Sequence, residues 1–291
     1  MRYIVCWEPP HRMDENASPS PAPGQRARTV AYFSRLASTY GDGEFYGRRR
    51  AAVIAALASE LAAARSILDL GCGNGKYLAE FERLSSGEEK SVVGADVSAE
   101  MLREARARIG PRVSLIRADA ATPPFRAGTF DLIFASHVLV FASSLDAAVA
   151  ACARCLASGG ALIVTVEPGG GIRRALLPLV GAERWERFSR AVFRSARDET
   201  TRKLDRERHL AVFARARLTI EERAAPFTVR WQGVDEWLRL RWLAIAADED
   251  RAMAERILDE VGRDHGATEF TFDERMLIGR KQARGPGASH R

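Results

Sequence analysis

The first two thirds of the chain alternate between short apolar runs and longer segments in which apolar residues recur at helical spacing. Short apolar runs bounded by turn residues are typical of strands buried on both faces of a sheet. Five such strands are predicted, at Ser66–Leu70, Ser91–Asp96, Val113–Arg117, Phe130–His137 and Gly160–Val166. The segments 75–84, 98–109 and 144–156 are predicted to be helices. This alternation predicts an α/β fold, with a parallel sheet and helices on both faces.

The chain outside residues 65–168 is predicted to be mostly helical. Residues 29–64 form an N-terminal helical cap in which Tyr32, Phe33 and Tyr40 share a helical spacing, and Gly41-Asp42-Gly43 interrupts the helix. A helical insertion is expected at 169–217, and two more strands are expected within 218–281. Those strands are Leu218–Val229 and Glu269–Arg280, separated by a second helical insertion at 233–263.

Both ends of the chain have the composition of disordered segments. Residues 1–28 contain five prolines among serine, asparagine and glycine, which predicts a disordered leader. Met13 within this leader is a second candidate start of the polypeptide. The tail at 282–291 is also expected to be disordered.

The first predicted strand ends in the glycine-rich segment Asp69-Leu70-Gly71-Cys72-Gly73-Asn74-Gly75. Glycine permits positive φ and lets a ligand approach the backbone, and the helix that follows offers unpaired N–H groups. Together they predict a nucleotide-type cofactor site at the carboxyl end of this strand. The dinucleotide fingerprint G-x-G-x-x-G would need glycine where the chain has Lys76. A nicotinamide dehydrogenase is therefore disfavoured.

The pattern D-x-G-x-G-x-G resembles motif I of the class I S-adenosylmethionine-dependent methyltransferases, and the resemblance extends over residues 65–168. It implies a Rossmann-like, doubly wound, seven-stranded and mostly parallel sheet with helical insertions, whose last strand is antiparallel between the fifth and sixth. It implies S-adenosylmethionine as cofactor and S-adenosylhomocysteine as product. The cofactor residues that it implies are Asp69, Gly71, Cys72, Gly73, Gly75, Asp96, Val97, Asp119, Ala120, Ser136 and Tyr40.

Three of these residues carry specific expectations. Asp96 ends the second strand at the offset from Gly75 where an acid accepts hydrogen bonds from ribose hydroxyls. The resemblance puts Asp119 beside the adenine amine and gives Ala120 a backbone N–H donor role. A turn residue or a helix cap is the alternative role for Asp119.

The implied reaction is methyl transfer from a sulfonium to a nucleophilic O, N, C or S atom. The enzyme mainly has to supply in-line proximity in a water-poor pocket. A general base is needed only if the acceptor must lose a proton, and histidine is then the first choice. His137 at the end of the fourth strand is the first candidate base and Glu167 the second. Alternatively, His137 only orients a loop through a hydrogen bond.

The acceptor is narrowed by motifs that the sequence lacks. No N-P-P-Y or D-P-P-Y follows the fourth strand, and no Pro-Cys pair supplies the thiol for cytosine C5 chemistry. Aromatic residues in the helical insertions favour a small, partly apolar acceptor of secondary metabolism, methylated on O, N or C. Two alternatives stay open: a methyltransferase that binds nucleic acid or protein through its basic surface, and a cofactor-binding protein without methyl transfer.

Charge and composition add limits on partners and location. The net charge is +6, but arginines are interleaved with acids and Arg48-Arg49-Arg50 is the only tight basic run, so a solvated helix face is expected rather than a nucleic-acid site. Cys152 and Cys155 lack a second ligand pair, and we expect buried helix residues and no metal. No signal peptide or membrane span is visible, which predicts a cytoplasmic protein. The oligomeric state is open, with a homodimer as one alternative.

Overall fold

The computed structural model describes residues 2–3, 25–85, 89–166, 171–193, 206–241, 243 and 248–283. The strands are β1 (Arg2–Tyr3), β2 (Ser66–Leu70), β3 (Ser91–Asp96), β4 (Ser114–Arg117), β5 (Phe130–Ser136), β6 (Leu156–Val166), β7 (Leu218–Arg230) and β8 (Glu269–Lys281). The helices are α1 (Gln25–Arg35), α2 (Glu44–Ala56), α3 (Ala58–Ala63), α4 (Lys76–Leu84), α5 (Ala99–Arg108), α6 (Leu145–Cys155), α7 (Gly171–Phe193), α8 (Arg206–Arg215), α9 (Trp231–Arg241) and α10 (Asp248–His265). A 3₁₀ turn covers Leu139–Phe141, and α7 is interrupted at Gly181.

The main sheet has the strand order β4-β3-β2-β5-β6-β8-β7. The pairs from β4 to β6 are parallel, whereas β8 is antiparallel to both of its main neighbours, β6 and β7. The seven-stranded, doubly wound fold with an antiparallel strand between the fifth and sixth predicted strands is therefore confirmed. The order reverses between β2 and β5, and ligands of open α/β sheets bind at such a reversal, outside the carboxyl ends of the strands.

The short strand β1 corrects the expectation that residues 1–28 are disordered throughout. It pairs in parallel with β8, with Arg2 opposite Glu269 and Tyr3 opposite Phe270. Helix α1 also begins at Gln25, inside the predicted leader. The rest of the leader lies outside the described residues, as do residues 284–291 of the tail.

Apolar side chains cover both faces of the sheet. On one face, Val53, Leu61 and Phe81 from α2, α3 and α4 pack against the strands. On the other face, Val149 of α6 and Phe213 of α8 do the same. Burying side chains on both faces explains why the central strands are nearly continuous apolar runs.

Strands β7 and β8 extend beyond the carboxyl edge of the parallel strands. Each has 13 residues, but β6 pairs only with residues 275–280 of β8. The extension supports a separate apolar cluster with α2, α7, α9 and α10, in which the rings of Phe45 and Trp237 stack with centroids 3.9 Å apart. Trp185 and Phe188 are buried in the same cluster, so these insertion aromatics serve the core rather than an open pocket.

The end of α1 and the start of β6 differ from the boundaries predicted by the spacing of apolar residues. The apolar spacing continues to Tyr46, but α1 ends at Arg35 and residues 36–42 form turns before α2 starts at Glu44. Strand β6 starts at Leu156, four residues before the predicted start, because the chain leaves α6 directly into extended structure.

The cysteine pair in α6 belongs to the apolar core. Cys152 and Cys155 are fully buried, and burial raises the pKa of the Cys152 thiol to about 12. In the part of the chain that the structure describes, no group of acidic, histidine or cysteine side chains could hold a metal. None of the described helices is long and apolar enough to cross a bilayer.

A buried carboxylate ties α3 to the last two strands. Glu60 accepts hydrogen bonds from Arg223 at 2.9 and 3.0 Å and from Arg280 at 2.7 Å, and its side chain is 6% exposed. Burial opposes ionisation, but the hydrogen bonds from Arg223 and Ser59 outweigh it and lower the pKa of Glu60 to about 2. Because the folded pKa lies below the usual 4.5, ionised Glu60 stabilises the fold above pH 4.5, and this stabilisation is lost as the pH falls toward 2.

We predict that Glu60→Gln lowers the free energy of unfolding at pH 7 by about 2 kcal/mol, because two arginines lose a charged hydrogen-bond acceptor. The difference from wild type should shrink between pH 4.5 and pH 2. Urea denaturation across this pH range measures both effects. The matched control is Glu221→Gln, which contacts the same Arg223 from a side chain that is 46% exposed and should cost less than about 1 kcal/mol. Equal losses for the two variants would contradict the prediction.

Candidate active site

The glycine-rich loop between β2 and α4 is fastened to the end of β3. The backbone N–H groups of Gly71 and Cys72 both donate to the carbonyl oxygen of Ala95, at 2.7 and 3.0 Å. Gly71, Gly73 and Gly75 have φ values of 76°, 53° and 80°, a region that favours glycine. The loop therefore follows the path expected from its three glycines.

The three glycines face different surroundings. A Cβ on Gly71 would clash with Val138 Cγ2, and one on Gly75 would lie 2.9 Å from Ala105 Cβ. These two glycines therefore allow close packing against the segment that follows β5 and against α5. A Cβ on Gly73 would meet only Met101 Sδ, at 3.8 Å. Gly73 is the glycine that faces open space, where a ligand can approach its backbone.

Two carboxylates lie next to this loop. Asp96 accepts hydrogen bonds from the N–H groups of Gly73 and Ser98, both at 2.9 Å, through different oxygens. Asp69 is 1% exposed, and its Oδ2 has no hydrogen-bond partner among the described residues. Burial raises the pKa of both carboxyls, and the charge of Asp96 raises that of Asp69 further. An unpaired buried oxygen at the loop is a place where a ligand donor would be stabilised.

The remaining residues predicted to bind the cofactor line the same edge of the sheet. Val97 follows β3, and its carbonyl oxygen accepts from Arg117 Nε at 3.0 Å. Asp119 and Ala120 follow β4, and Asp119 Oδ1 accepts from the Ala121 N–H at 2.8 Å, which stabilises a turn. Cys72 is buried beside Gly94, and burial raises the pKa of its thiol well above the usual value.

The N-terminal cap covers the loop. Asn74 Nδ2 donates to the carbonyl oxygens of Ala37 at 2.8 Å and Tyr40 at 2.9 Å. Ser34 Oγ donates to Glu100 Oε2 at 2.8 Å, which joins α1 to the first turn of α5. The ring of Phe33 contacts those of Tyr40 and Phe141, at centroid distances of 5.4 and 5.2 Å. Half-buried aromatic rings therefore reach the site from the cap.

The end of β5 carries the candidate base. His137 has a φ of 51°, which is uncommon outside glycine, and its N–H donates to Thr165 Oγ1 at 3.1 Å. Its Nε2 lies 2.6 Å from Glu274 Oε1, with side chains 15% and 5% exposed. Ser136 Oγ lies 3.1 Å from the same Thr165 hydroxyl. Glu167, the second candidate base, lies outside the described residues.

Glu274 is a buried acid on β8. Burial raises its pKa, but the charges of His137 and Arg49 and hydrogen bonds from His137 and Thr165 outweigh burial and leave the pKa below its usual value. The pattern that could have revealed it is the alternation of β8, in which Phe270, Phe272, Met276 and Ile278 are buried and Glu274 occupies the inward position between them. Arg49 and Asn74 were also missed, the first because it was read as part of a solvated basic run.

The comparisons with known proteins agree with this geometry. A family profile described as a methyltransferase domain matches residues 67–160. Malonyl-[acyl-carrier protein] O-methyltransferase from Legionella pneumophila is 39% identical over 105 residues, which make up 35% of this chain and 36% of that protein. Aklanonic acid methyltransferase DauC from Streptomyces sp. (strain C5) is 33% identical over 142 residues, or 46% of this chain and 62% of that protein.

Residues 67–160 therefore form a methyltransferase domain of the class I S-adenosylmethionine-dependent type. The cofactor of such a domain is S-adenosylmethionine. The curated relatives above are matched over only 36% and 62% of their own length. The solved structure of the [4+2]-cyclase SpnF has a TM-score of 0.54 at 17% identity, over 90% of this chain and 94% of that one, and shares the fold.

The residues of this methyltransferase fit that cofactor. We infer that the open face of Gly73 receives its amino-acid part and that Asp69 Oδ2 accepts a hydrogen bond from its ammonium group, because this oxygen is otherwise unpaired. The roles of Asp96 toward the ribose, of Asp119 and Ala120 toward the adenine and of Tyr40 over the cofactor stay predictions.

We predict that Gly73→Ala weakens binding of S-adenosylhomocysteine to this methyltransferase by at least tenfold. A methyl group on Gly73 occupies the open space from which a ligand would approach the backbone. The positive φ adds backbone strain of about 1 to 2 kcal/mol. The matched control is Gly128→Ala, which has a φ of 72° and no atom within 4 Å of its Cβ position. Calorimetric titration and thermal unfolding should give equal stability losses for the two variants and a loss of affinity for Gly73→Ala alone. Equal affinities would contradict the assignment.

Proposed function

We propose that the protein transfers a methyl group from S-adenosylmethionine to a small, partly apolar acceptor by in-line displacement. The observation that carries the proposal is the His137–Glu274 pair, which lies at the carboxyl edge of the sheet beside the glycine loop. When bound, the cofactor supplies an electrophilic methyl group on a sulfonium. The protein then has to bind the acceptor in line, exclude water and accept a proton where the acceptor carries one.

His137 has the surroundings of a positioned base. Nε2 of His137 is hydrogen-bonded to the carboxylate of Glu274, and the backbone N–H of His137 donates to the hydroxyl of Thr165. These two hydrogen bonds fix both the ring and the main chain of His137. With Nε2 engaged by Glu274, Nδ1 is the nitrogen that can accept a proton from an acceptor. A base oriented by a third group is the arrangement that proton-transferring enzymes use. Glu274 is in this account a positioning residue.

The acceptor class is supported by relatives and by the cap. The matched relatives include methyltransferases named for malonyl-[acyl-carrier protein], aklanonic acid, nocamycin and ubiquinone/menaquinone biosynthesis. The half-buried rings of Phe33, Tyr40 and Phe141 suit a flat, partly apolar molecule. We therefore favour an acceptor of secondary metabolism.

A macromolecular acceptor is less well supported. Several arginines that give the chain its positive charge pair with acids on separate elements. Examples are the pairs of Arg206 with Glu222, of Arg215 with Asp146 and of Arg239 with Asp259. Paired and dispersed arginines do not make the continuous basic surface that nucleic acids require. A cofactor-binding protein without methyl transfer is the remaining alternative.

We predict that His137→Asn lowers the rate of methyl transfer by about 10² to 10⁴, the usual contribution of a general base. Asparagine tolerates the positive φ at this position, so the fold should be retained. The assay is formation of S-adenosylhomocysteine from S-adenosylmethionine with a panel of phenols, hydroquinones and β-ketoesters, together with calorimetric affinity for S-adenosylhomocysteine.

The affinity of His137→Asn should match that of wild type. His265→Asn, at the end of α10, is the matched control and should keep full activity. An unchanged rate in His137→Asn would show that His137 is not the base. Cofactor binding without turnover of any acceptor would instead favour the alternative of a binding protein.

A further inference from the structure

Arg49 is a half-buried cation whose hydrogen-bond donors are unused. It lies in α2, with its guanidinium 5.0 Å from the ring centroid of Tyr46. Among the described residues it makes no hydrogen bond and no ion pair. A guanidinium carries five N–H donors in a planar fork, and donors left unpaired away from water are costly. The simplest explanation is that these N–H groups donate to a hydrogen-bond acceptor on a ligand.

The carboxylate of Glu274 does not pair with Arg49. Against the effect of burial, the negative charge of Glu274 raises the pKa of Arg49. The carboxylate of Glu274 accepts its hydrogen bonds from His137 and Thr165 instead. Arg49 is therefore close enough to Glu274, the partner of the candidate base, for their charges to interact, but it forms no ion pair with it. Burial opposes the charge on Arg49, and Glu274 and the neighbouring tyrosines hold its pKa above the usual value, so it is a cation at every working pH.

The position of Arg49 relates it to the acceptor. The guanidinium of Arg49 lies over the ring of Tyr46, whose centroid is 6.0 Å from that of Tyr40. The carbonyl oxygen of Tyr40 accepts a hydrogen bond from Asn74 of the glycine loop, so Arg49 belongs to the part of the cap that is fastened to this loop. Its neighbours are aromatic rings, which would contact an apolar body next to an anionic group.

We propose that Arg49 binds a carboxylate carried by the partly apolar acceptor and so selects acidic acceptors. The inference rests on the proposed function, because it takes this volume to be the acceptor site. A single carboxylate matches the fork of one guanidinium. A phosphate monoester, with nearly two negative charges, would be repelled by Glu274 nearby.

The test is calorimetric binding of 2-naphthoate, octanoate and their amides to the protein saturated with S-adenosylhomocysteine. We expect at least one acid to bind about tenfold tighter than its amide, and Arg49→Gln to abolish that preference while leaving affinity for S-adenosylhomocysteine unchanged. The matched control is Arg48→Gln, which removes the same charge from the preceding residue of α2. This variant should keep the preference for the acid over its amide.

Arg48 also serves as a rival. It lines a cavity of about 310 Å³ together with Glu44, Arg230 and Glu269, and Arg49 is not among the residues that line this cavity. Loss of the acid preference in Arg48→Gln and not in Arg49→Gln would place the acid in that cavity and overturn the proposal. Equal binding of acid and amide by wild type, no binding of either, or tighter binding of 2-naphthyl phosphate would overturn it as well.

The outcomes separate this proposal from the proposed function. S-adenosylhomocysteine is titrated first, and failure of that binding contradicts the methyltransferase proposal itself. The acid and amide titrations are repeated on the protein alone, so the role of Arg49 is judged in either case. Normal binding of S-adenosylhomocysteine with no acid preference contradicts only the role of Arg49.

Discussion

The site depends on one carboxylate that holds two neighbouring turns together. Asp96 accepts a hydrogen bond from Gly73 in the loop after β2 and another from Ser98 at the start of α5, both at 2.9 Å. The carbonyl of the preceding residue, Ala95, accepts two more hydrogen bonds from the same loop. These bonds require the loop to cross the end of β3 closely, and only residues that tolerate positive φ can follow that path. The open space at Gly73 and the buried oxygen of Asp69 are consequences of this crossing.

Charges are distributed unequally around the cofactor and acceptor sides of this edge. On the cofactor side, Asp69 and Asp96 are two buried acids close enough to raise the pKa of Asp69, an arrangement that a cationic ligand would relieve. On the proposed acceptor side, Glu274 is hydrogen-bonded to His137, and Arg49 makes no ion pair among the described residues. A cation is therefore favoured at the loop, and a neutral or anionic group is favoured beside Arg49. Burial strengthens electrostatic interactions. The difference in charge between the glycine loop and the surroundings of Arg49 can therefore direct a cationic ligand group to the loop and an anionic one to Arg49.

Sequence reasoning recovered those parts of the structure that depend on contiguous residues. The seven strands of the main sheet, the loop and the acid at the end of β3 are each specified by a short segment, and the strand order follows from the family resemblance. Glu274 was missed because its role depends on the register of β8 beside β6, which brings a distant residue to His137. Arg49 was missed because a run of three arginines gives no indication of which one faces inward. Trp185, Phe188 and Trp237 of the insertions bury the β7–β8 extension, through contacts between residues that are distant in the chain.

The most direct test of the account is calorimetric titration of the purified protein with S-adenosylmethionine, S-adenosylhomocysteine and NADH. We predict micromolar binding of the first two and no binding of NADH, because Lys76 occupies the position of the third glycine in the dinucleotide fingerprint. Failure of both sulfur ligands to bind to the folded protein, or tight binding of NADH, would contradict the central claim about the glycine loop.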